Sequence, residues 1–307
     1  MNRRDLFRIS TAMGLTAALP RTGNATSQTA SSTENKHASA TSNPLHAPAD
    51  GSILVAFLLS DDAVVIDFAG PWEVFENVSI PGSATQQAFK PYTVAETTAP
   101  IKATGGMTII PNYTFATAPP PQVIVIPAQS DPSDAMLAWI VHASRVADLT
   151  MSVCTGAFLL AKTGLLSGKS ATTHHNAYAQ FVMEFPDIAL KRGARYVESG
   201  KVASSGGLSS GIDLALRVVE RYFGRAVAIS TADKLEYQGQ GWLNPDSNFA
   251  YAKRRVSTDR HPLCAVCEMD VAKATAPTSV YRGRTYYFCM GAHKELFDAS
   301  PARFLVG

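Results

Sequence analysis

Two groups of residues in this chain have types and spacings that can do chemistry. The first is Cys154, in the stretch SVCTGAFLLA at 152–161. Upstream, ADLTMSV reads as a short strand. Downstream, Ala157, Leu160, Ala161 and Leu165 recur at helical spacing, which predicts a helix reaching Leu166. Cys154 therefore falls at a strand-to-helix junction. A thiol there feels unpaired N–H groups and the positive end of the helix dipole, so its pKa is expected to fall and its thiolate to act as a nucleophile. The strand–turn–helix bend is that of a nucleophile elbow, and Gly156 would ease a close approach in it. A free cysteine also packs as a small buried hydrophobe, and this stretch alone does not choose between the two.

The second group lies near the end of the chain: Cys264-x-x-Cys267, then Cys289-x-x-x-His293. A C-x₂-C knuckle brings two thiolates to one metal ion. A second pair can come from a strand end and the next helix turn. Thiolate and imidazole ligands suit Zn²⁺ or copper(I) better than Mg²⁺ or Ca²⁺. A disulfide among these cysteines is the competing expectation in an oxidising compartment.

The elements that would hold these residues follow from the apolar pattern. ILVAFLLS (53–60) and PQVIVIPA (121–128) are continuous apolar runs, as in strands covered on both faces. PYTVAETT is a further strand. AVVIDFAGPWEVFENV is expected to turn helical after Pro71, and DAMLAWIVHASRVAD is an amphipathic helix. ARYVESGKVASSGG reads as a strand pair turning at Ser199-Gly200, and GIDLALRVVERYFG as a helix stopped by Gly224. Strands alternating with helices predict a mostly parallel α/β sandwich.

At 307 residues the chain has room for about two domains. Its net charge of +2 shows no nucleic-acid footprint, and four cysteines are too few for a disulfide scaffold at this length. Residues 1–25 read as an export signal: Arg3-Arg4 and Arg8, then an uncharged run from Ile9 to Leu19 too short to span a bilayer. The arginine pair resembles a twin-arginine signal. No stable membrane insertion is expected once such a signal is removed. Residues 26–50, rich in Ser, Thr, Ala and Asn, cannot bury enough apolar surface to order themselves and are expected to be a tether.

VCTGAFLLAKTGLLSGKSATTHH resembles the cysteine elbow of the ThiJ/PfpI superfamily, with its class I glutamine-amidotransferase-like fold. IDFAGPWEVF resembles that family's first β–α loop, and GKVASSGGLSSGIDLALRVVER its late strand and helix. The likeness covers roughly 52–240 and looks nearest to isonitrile hydratase and to the ligand-binding halves of AraC-type regulators. It implies a flavodoxin-like, doubly wound sheet with a site at the carboxyl ends of the strands, a domain over 51–240, and no cofactor in it. Cys154 would be the nucleophile and Asp67 the facing carboxylate. Thr155 would supply a hydroxyl and an N–H for developing negative charge. Asp67 could also simply complement the dipole of its helix. Gly70, Ala128, Gln129 and His174 would line a substrate site; a purely structural His174 is the alternative. The family strand usually ends Pro-Gly-Gly, whereas here it reads Pro127-Ala128-Gln129. Ala and Gln do not take positive φ freely, so the oxyanion hole is expected to be reshaped or lost, with the Gln129 amide a candidate for the pocket.

After a linker at 241–260, residues 262–305 resemble a YHS domain. CEMDV, YRGRTYYFC and HKELFDASPARFL match its elements, with His293 where a second cysteine is common. A small α+β metal-binding domain over 261–307 is the expectation, with Zn or Cu held by Cys264, Cys267, Cys289 and His293.

The composite expectation is an exported, periplasmic or secreted protein with a small-molecule substrate, no nucleic-acid partner and a homodimer as its assembly. Three functions fit it: a cysteine-dependent enzyme with isonitrile hydration as the nearest example, a non-catalytic small-molecule or metal sensor, and a metal carrier or redox stress protein.

Overall fold

The structure is a computed structural model that describes residues 43–48, 51–82, 87–253 and 255–305. The expected export signal and most of the expected tether lie outside the described residues.

The chain runs β1 (Ile53–Leu58), α1 (Val65–Glu76), β2 (Phe89–Ala95), β3 (Ile101–Lys102), β4 (Thr108–Ile109), β5 (Tyr113–Thr114), β6 (Val123–Ile126), α2 (Asp134–Val146) and β7 (Leu149–Ser152). It continues with α3 (Gly156–Lys162), β8 (Ser170–Ala171), α4 (Tyr178–Glu184), β9 (Ala189–Leu190), β10 (Tyr196–Ser199), β11 (Val202–Ser205), α5 (Ser210–Phe223) and α6 (Arg225–Lys234). The last elements are β12 (Thr278–Tyr281), β13 (Arg284–Tyr287), α7 (Gly291–Ala299) and α8 (Pro301–Phe304). Seven strands form one sheet in the order β10-β11-β7-β6-β1-β2-β5. Every neighbouring pair is parallel except β10–β11, the hairpin whose turn holds Gly200 at φ 66°.

The apolar runs fold as the pattern demands. In β1, Val55 and Phe57 enter a core beneath α1, α5 and α6, while Ala56 and Leu58 enter the core beneath α2, α3 and α4. Both faces are therefore covered, and the Cys154 junction lies where β7 ends and α3 begins.

Three boundaries differ from the expectations. Helix α1 starts at Val65, with Pro71 inside it, so Asp67 stands in its first turn. Pro71 has no N–H to offer the Asp67 carbonyl one turn earlier. Helix α3 ends at Lys162 rather than near Leu166, because Gly164 and Gly168 take positive φ and continue the chain as turns. Residues 43–48, part of the expected tether, pack on α5: Leu45 N–H donates to Arg221 O at 2.9 Å, and Arg221 Nε donates to Asn43 O at 2.7 Å.

The expected linker at 241–260 is not loose either. Trp242 is buried, its N–H donates to Asp213 Oδ1 at 2.9 Å, and Tyr196 Oη donates to its carbonyl at 2.9 Å. Beyond it, the hairpin β12–β13, α7 and α8 close a small core of Val266, Phe288, Phe297 and Phe304, which also takes in Ala179 of α4.

Candidate functional site

Cys154 occupies the bend between β7 and α3 with φ 58°, a conformation side chains rarely adopt. Its backbone is pinned on both sides: the N–H donates to Gly206 O at 2.9 Å, and Thr173 Oγ1 donates to its carbonyl at 2.9 Å. Gly156 must be glycine. A Cβ there would lie 2.3 Å from Ile126 O, so α3 presses on the end of β6. These constraints make the strained turn a nucleophile elbow.

Asp67 faces the same point and is fully buried. Its Oδ2 accepts from Ala128 N–H at 3.1 Å, while Oδ1 has no conventional hydrogen-bond partner. Burial raises its pKa to about 7, only partly offset by the Ala128 N–H and the Cys154 thiol. The carboxyl is therefore poised to give or take a proton near neutrality.

The thiol departs from its expected depressed pKa. Cys154 is 7% exposed, and burial first, then the Asp67 carboxylate, push it up to about 11. The Thr155 and Leu208 N–H groups and the Thr155 hydroxyl act in the other direction without prevailing. Magnitudes explain the outcome. A helix terminus contributes up to roughly 1 kcal/mol, whereas full burial moves a pKa by as much as 3–5 units.

Thr155 touches the thiol, its N–H and hydroxyl both bonding to the sulfur. The Pro127-Ala128-Gln129 turn is built without positive φ at Ala128 or Gln129. Ala128 gives its N–H to Asp67 and its carbonyl to Val64 N–H at 2.8 Å. The Gln129 amide is turned away to the end of β1, accepting from Ser60 N–H at 2.5 Å and donating to Leu58 O at 3.2 Å. Gly70 serves packing: a Cβ there would meet Ile212 Cγ1 at 2.8 Å.

His174 lies beside the elbow, its ring against Gly207, where a Cβ would come within 2.2 Å of it. Its Nδ1 accepts from Asn176 N–H at 3.2 Å, which leaves the proton on Nε2. Burial and then His175 hold its pKa below the usual imidazole value. His174 stacks on His175, which stacks on Tyr251, with centroids 4.3 Å and 4.2 Å apart. Thr155 and these rings form one wall of a cleft of about 700 Å³ whose opposite wall is Cys267, Glu268 and Met269.

The residues sequence reasoning missed are Thr173, Leu208 and the pair Arg195–Asp213 behind the Gly206–Ser209 loop. Leu208 acts through its backbone at φ 49°, which no side-chain type announces.

In the C-terminal module, all four cysteines of the chain being free thiols, Cys264, Cys267, Cys289 and His293 converge. Their ligand atoms lie within 4.8 Å of one another. Cys264 Sγ to His293 Nδ1 is 3.5 Å, Cys289 Sγ to His293 Nδ1 3.2 Å, and Cys267 Sγ to Cys289 Sγ 3.5 Å. A tetrahedral ion with metal–sulfur bonds of ~2.3 Å needs ligand separations of roughly 3.5 Å, so the set fits Zn²⁺ or copper(I). Hydrogen bonding from the Cys267 thiol, joined by the N–H groups of Cys267, Cys289 and Val266, holds the Cys264 thiol below its ordinary range, and the same hydrogen bond with burial holds Cys267 above it, whereas a metal requires both as thiolates.

The parallel sheet, the strained cysteine elbow and the buried carboxylate opposite it define a class of α/β proteins. This chain belongs to the DJ-1/PfpI family, whose pattern matches residues 54–221. Over 191 residues it is 30% identical to the isonitrile hydratase of Pseudomonas putida, covering 61% of this chain and 79% of that one. It is also 24% identical over 139 residues to the HTH-type transcriptional regulator CdhR of Pseudomonas aeruginosa, covering 44% of this chain but only 41% of the regulator. Among solved structures, a ThiJ/PfpI family protein from Pseudomonas syringae superposes with a TM-score of 0.55 at 26% identity, covering 62% and 77% of the two chains. Drosophila melanogaster DJ-1beta shares the fold, with a TM-score of 0.53 at 19% identity over 61% of this chain and all of its own.

Proposed function

We propose that this protein is an exported, thiol-dependent enzyme that adds water to a small molecule, with isonitrile hydration as the reaction, and that it carries a YHS-like metal module. The observation that supports the reading most is the buried Asp67 carboxyl, poised near pH 7 against the Cys154 thiol at the elbow.

In this reading the Cys154 sulfur attacks the terminal isonitrile carbon. The thiol proton, relayed by Asp67, ends on that carbon and gives a thioimidate. Water then adds to the same carbon while Asp67 shuttles its proton. Departure of the sulfur, reprotonated through Asp67, releases an N-substituted formamide. Substrate plus water equals product, and the thiol and carboxyl return to their starting states. Thr155 N–H and hydroxyl steady the sulfur when it carries charge. At the C-terminal module, Cys264, Cys267, Cys289 and His293 would hold one Zn²⁺ or copper ion, whose contribution is to staple a module with a small apolar core.

Formamide production from a simple aliphatic isonitrile tests the chemistry: wild type turns over, while Cys154→Ala and Asp67→Asn do not, with folding intact by circular dichroism. Elemental analysis should give one metal per chain, lost in the Cys264→Ser, Cys267→Ser pair and weakened by His293→Ala. A two-proton mass loss between these cysteines without metal decides for a disulfide.

The burial and raised pKa of Cys154 favour a second reading, a sensor that keeps only the pocket. Absence of any formamide from the wild type selects it.

A further inference from the structure

The cleft between the central domain and the C-terminal module is lined by Cys267 but by none of the other three candidate metal ligands. Its volume of about 700 Å³ lies in the range of small-molecule sites, roughly 300–1,000 Å³. One residue joins it to the elbow: Thr155 lines the cleft, and its hydroxyl and N–H both reach the Cys154 sulfur.

The charges around the cleft are unevenly satisfied. Arg192 NH2 and NH1 meet Glu268 Oε1 and Oε2 at 2.9 Å and 3.4 Å, across the two modules. Arg255 NH2 meets both oxygens of Asp270, at 2.8 Å and 3.0 Å. Each carboxylate of the lining thus already holds an arginine. Lys253, also in the lining and exposed, makes no ion pair among the described residues. His174 and His175 have pKa values held below the ordinary imidazole range, each chiefly by burial. His174, its Nδ1 accepting from Asn176 N–H, offers an Nε2–H donor. Among the described residues, the Lys253 ammonium and the His174 Nε2–H are left over, beside the flat face of the His175–Tyr251 stack.

We propose that this cleft binds a small organic anion, such as a carboxylate, with the anionic end toward Lys253 and the reacting end at Thr155. The proposal rests on the reading of Cys154 as the reactive thiol and names the substrate class of that site. It also gives the C-terminal module a task in the reaction, since the residue after metal-ligand candidate Cys267 holds the far wall to Arg192.

Two alkylating reagents of nearly equal size test it. Iodoacetate and iodoacetamide differ in a carboxylate against an amide. In both, the thiolate sulfur bonds to the methylene carbon, iodide leaves, and the thiol proton passes to solvent. The full-length protein, loaded with Zn²⁺, is treated with each, and the Cys154 peptide is quantified by mass spectrometry. Replacing Lys253 by Glu should lower the iodoacetate-to-iodoacetamide rate ratio by about fivefold or more, the scale of one charge reversal near a surface. Lys253→Arg should stay within about twofold of wild type, and raised ionic strength should compress the wild-type preference. An unchanged ratio in Lys253→Glu overturns the proposal. So does a Cys154 that neither reagent reaches in the folded protein but both label in urea. A charge-dependent ratio without isonitrile turnover leaves the anion site standing and removes the hydration reading.

Discussion

Arg195 Nε meets Asp213 Oδ2 at 2.6 Å, and this pair stands directly behind the loop that serves the Cys154 thiol. The Arg195 carbonyl accepts from Gly206 N–H at 2.9 Å, and its NH2 donates to Ser209 Oγ at 3.0 Å. The loop held between these bonds gives Gly206 O to the Cys154 N–H and Leu208 N–H to the sulfur. Asp213, fully buried, also accepts from Tyr237 Oη at 3.0 Å.

Removing this carboxylate should therefore do two things. Asp213→Ala leaves a guanidinium unpaired and should cost about 3 kcal/mol in urea unfolding. It should also misplace Leu208 N–H, so that alkylation of Cys154 by iodoacetamide near pH ~9 slows several-fold. Asp213→Asn, which keeps the shape, should show the second effect with less of the first. Lost stability with an unaltered alkylation rate would reduce the pair to a structural role.

The Asp67 shift sets a pH dependence whose sign is fixed. Its folded pKa, about 7, lies above the ordinary carboxylate value of 3.8. Between those values the folded state keeps a proton that the unfolded state releases. Stability due to this group is full below pH ~4 and is lost as pH rises toward ~7, at up to about 1.4 kcal/mol per pH unit. The difference in urea stability between wild type and Asp67→Asn should follow that window, other titrations cancelling. The same substitution should lower the alkylation midpoint of Cys154, because it removes the carboxylate charge beside the sulfur. A wild-type midpoint at or below the ordinary thiol value of ~8.5 would contradict the burial argument.

Gly156→Ala should be among the costlier glycine substitutions in the chain. The new methyl would press on two carbonyl oxygens, Ile126 O at 2.3 Å and Pro127 O at 2.7 Å, neither of which can swing aside. About 3 kcal/mol of destabilisation is expected. Gly200→Ala, at φ 66° with open space around it, carries only the cost of its backbone conformation, about 1 kcal/mol. Thermal midpoints of the two variants, compared side by side, measure the difference.

Where a residue's role is written in its own side chain and near neighbours, the sequence carries it. The buried strands β1 and β6 were legible because four or more consecutive apolar residues have few other places to go. The elbow was legible because Val153-Cys154-Thr155-Gly156 sits where a strand pattern turns into a helix pattern. The thiol's raised pKa was not. It depends on how deeply Cys154 is buried and on Asp67, 87 positions earlier, being brought beside it; periodicity reports neither. The fate of Gln129 was hidden for the same reason, since its amide is claimed by the end of β1. The stretch at 237–248 reads as a linker by its Gly, Gln and Asn content, yet Trp242 anchors it, and one buried aromatic outweighs several turn-forming residues.

That anchoring changes where the first domain ends. A fragment stopped at residue 240 would lack the Trp242 N–H that satisfies Asp213, the Trp242 carbonyl that accepts from Tyr196, and the Pro245 carbonyl that accepts from Arg195 N–H. Asp213 Oδ1 and two donors at the start of β10 would face water or nothing, while Oδ2 would keep Arg195 and Tyr237. The second module was thus not hung on the end of a finished body. The join itself supplies the first domain's last polar contacts, and an exposed place to part the two halves comes only later, around Val256.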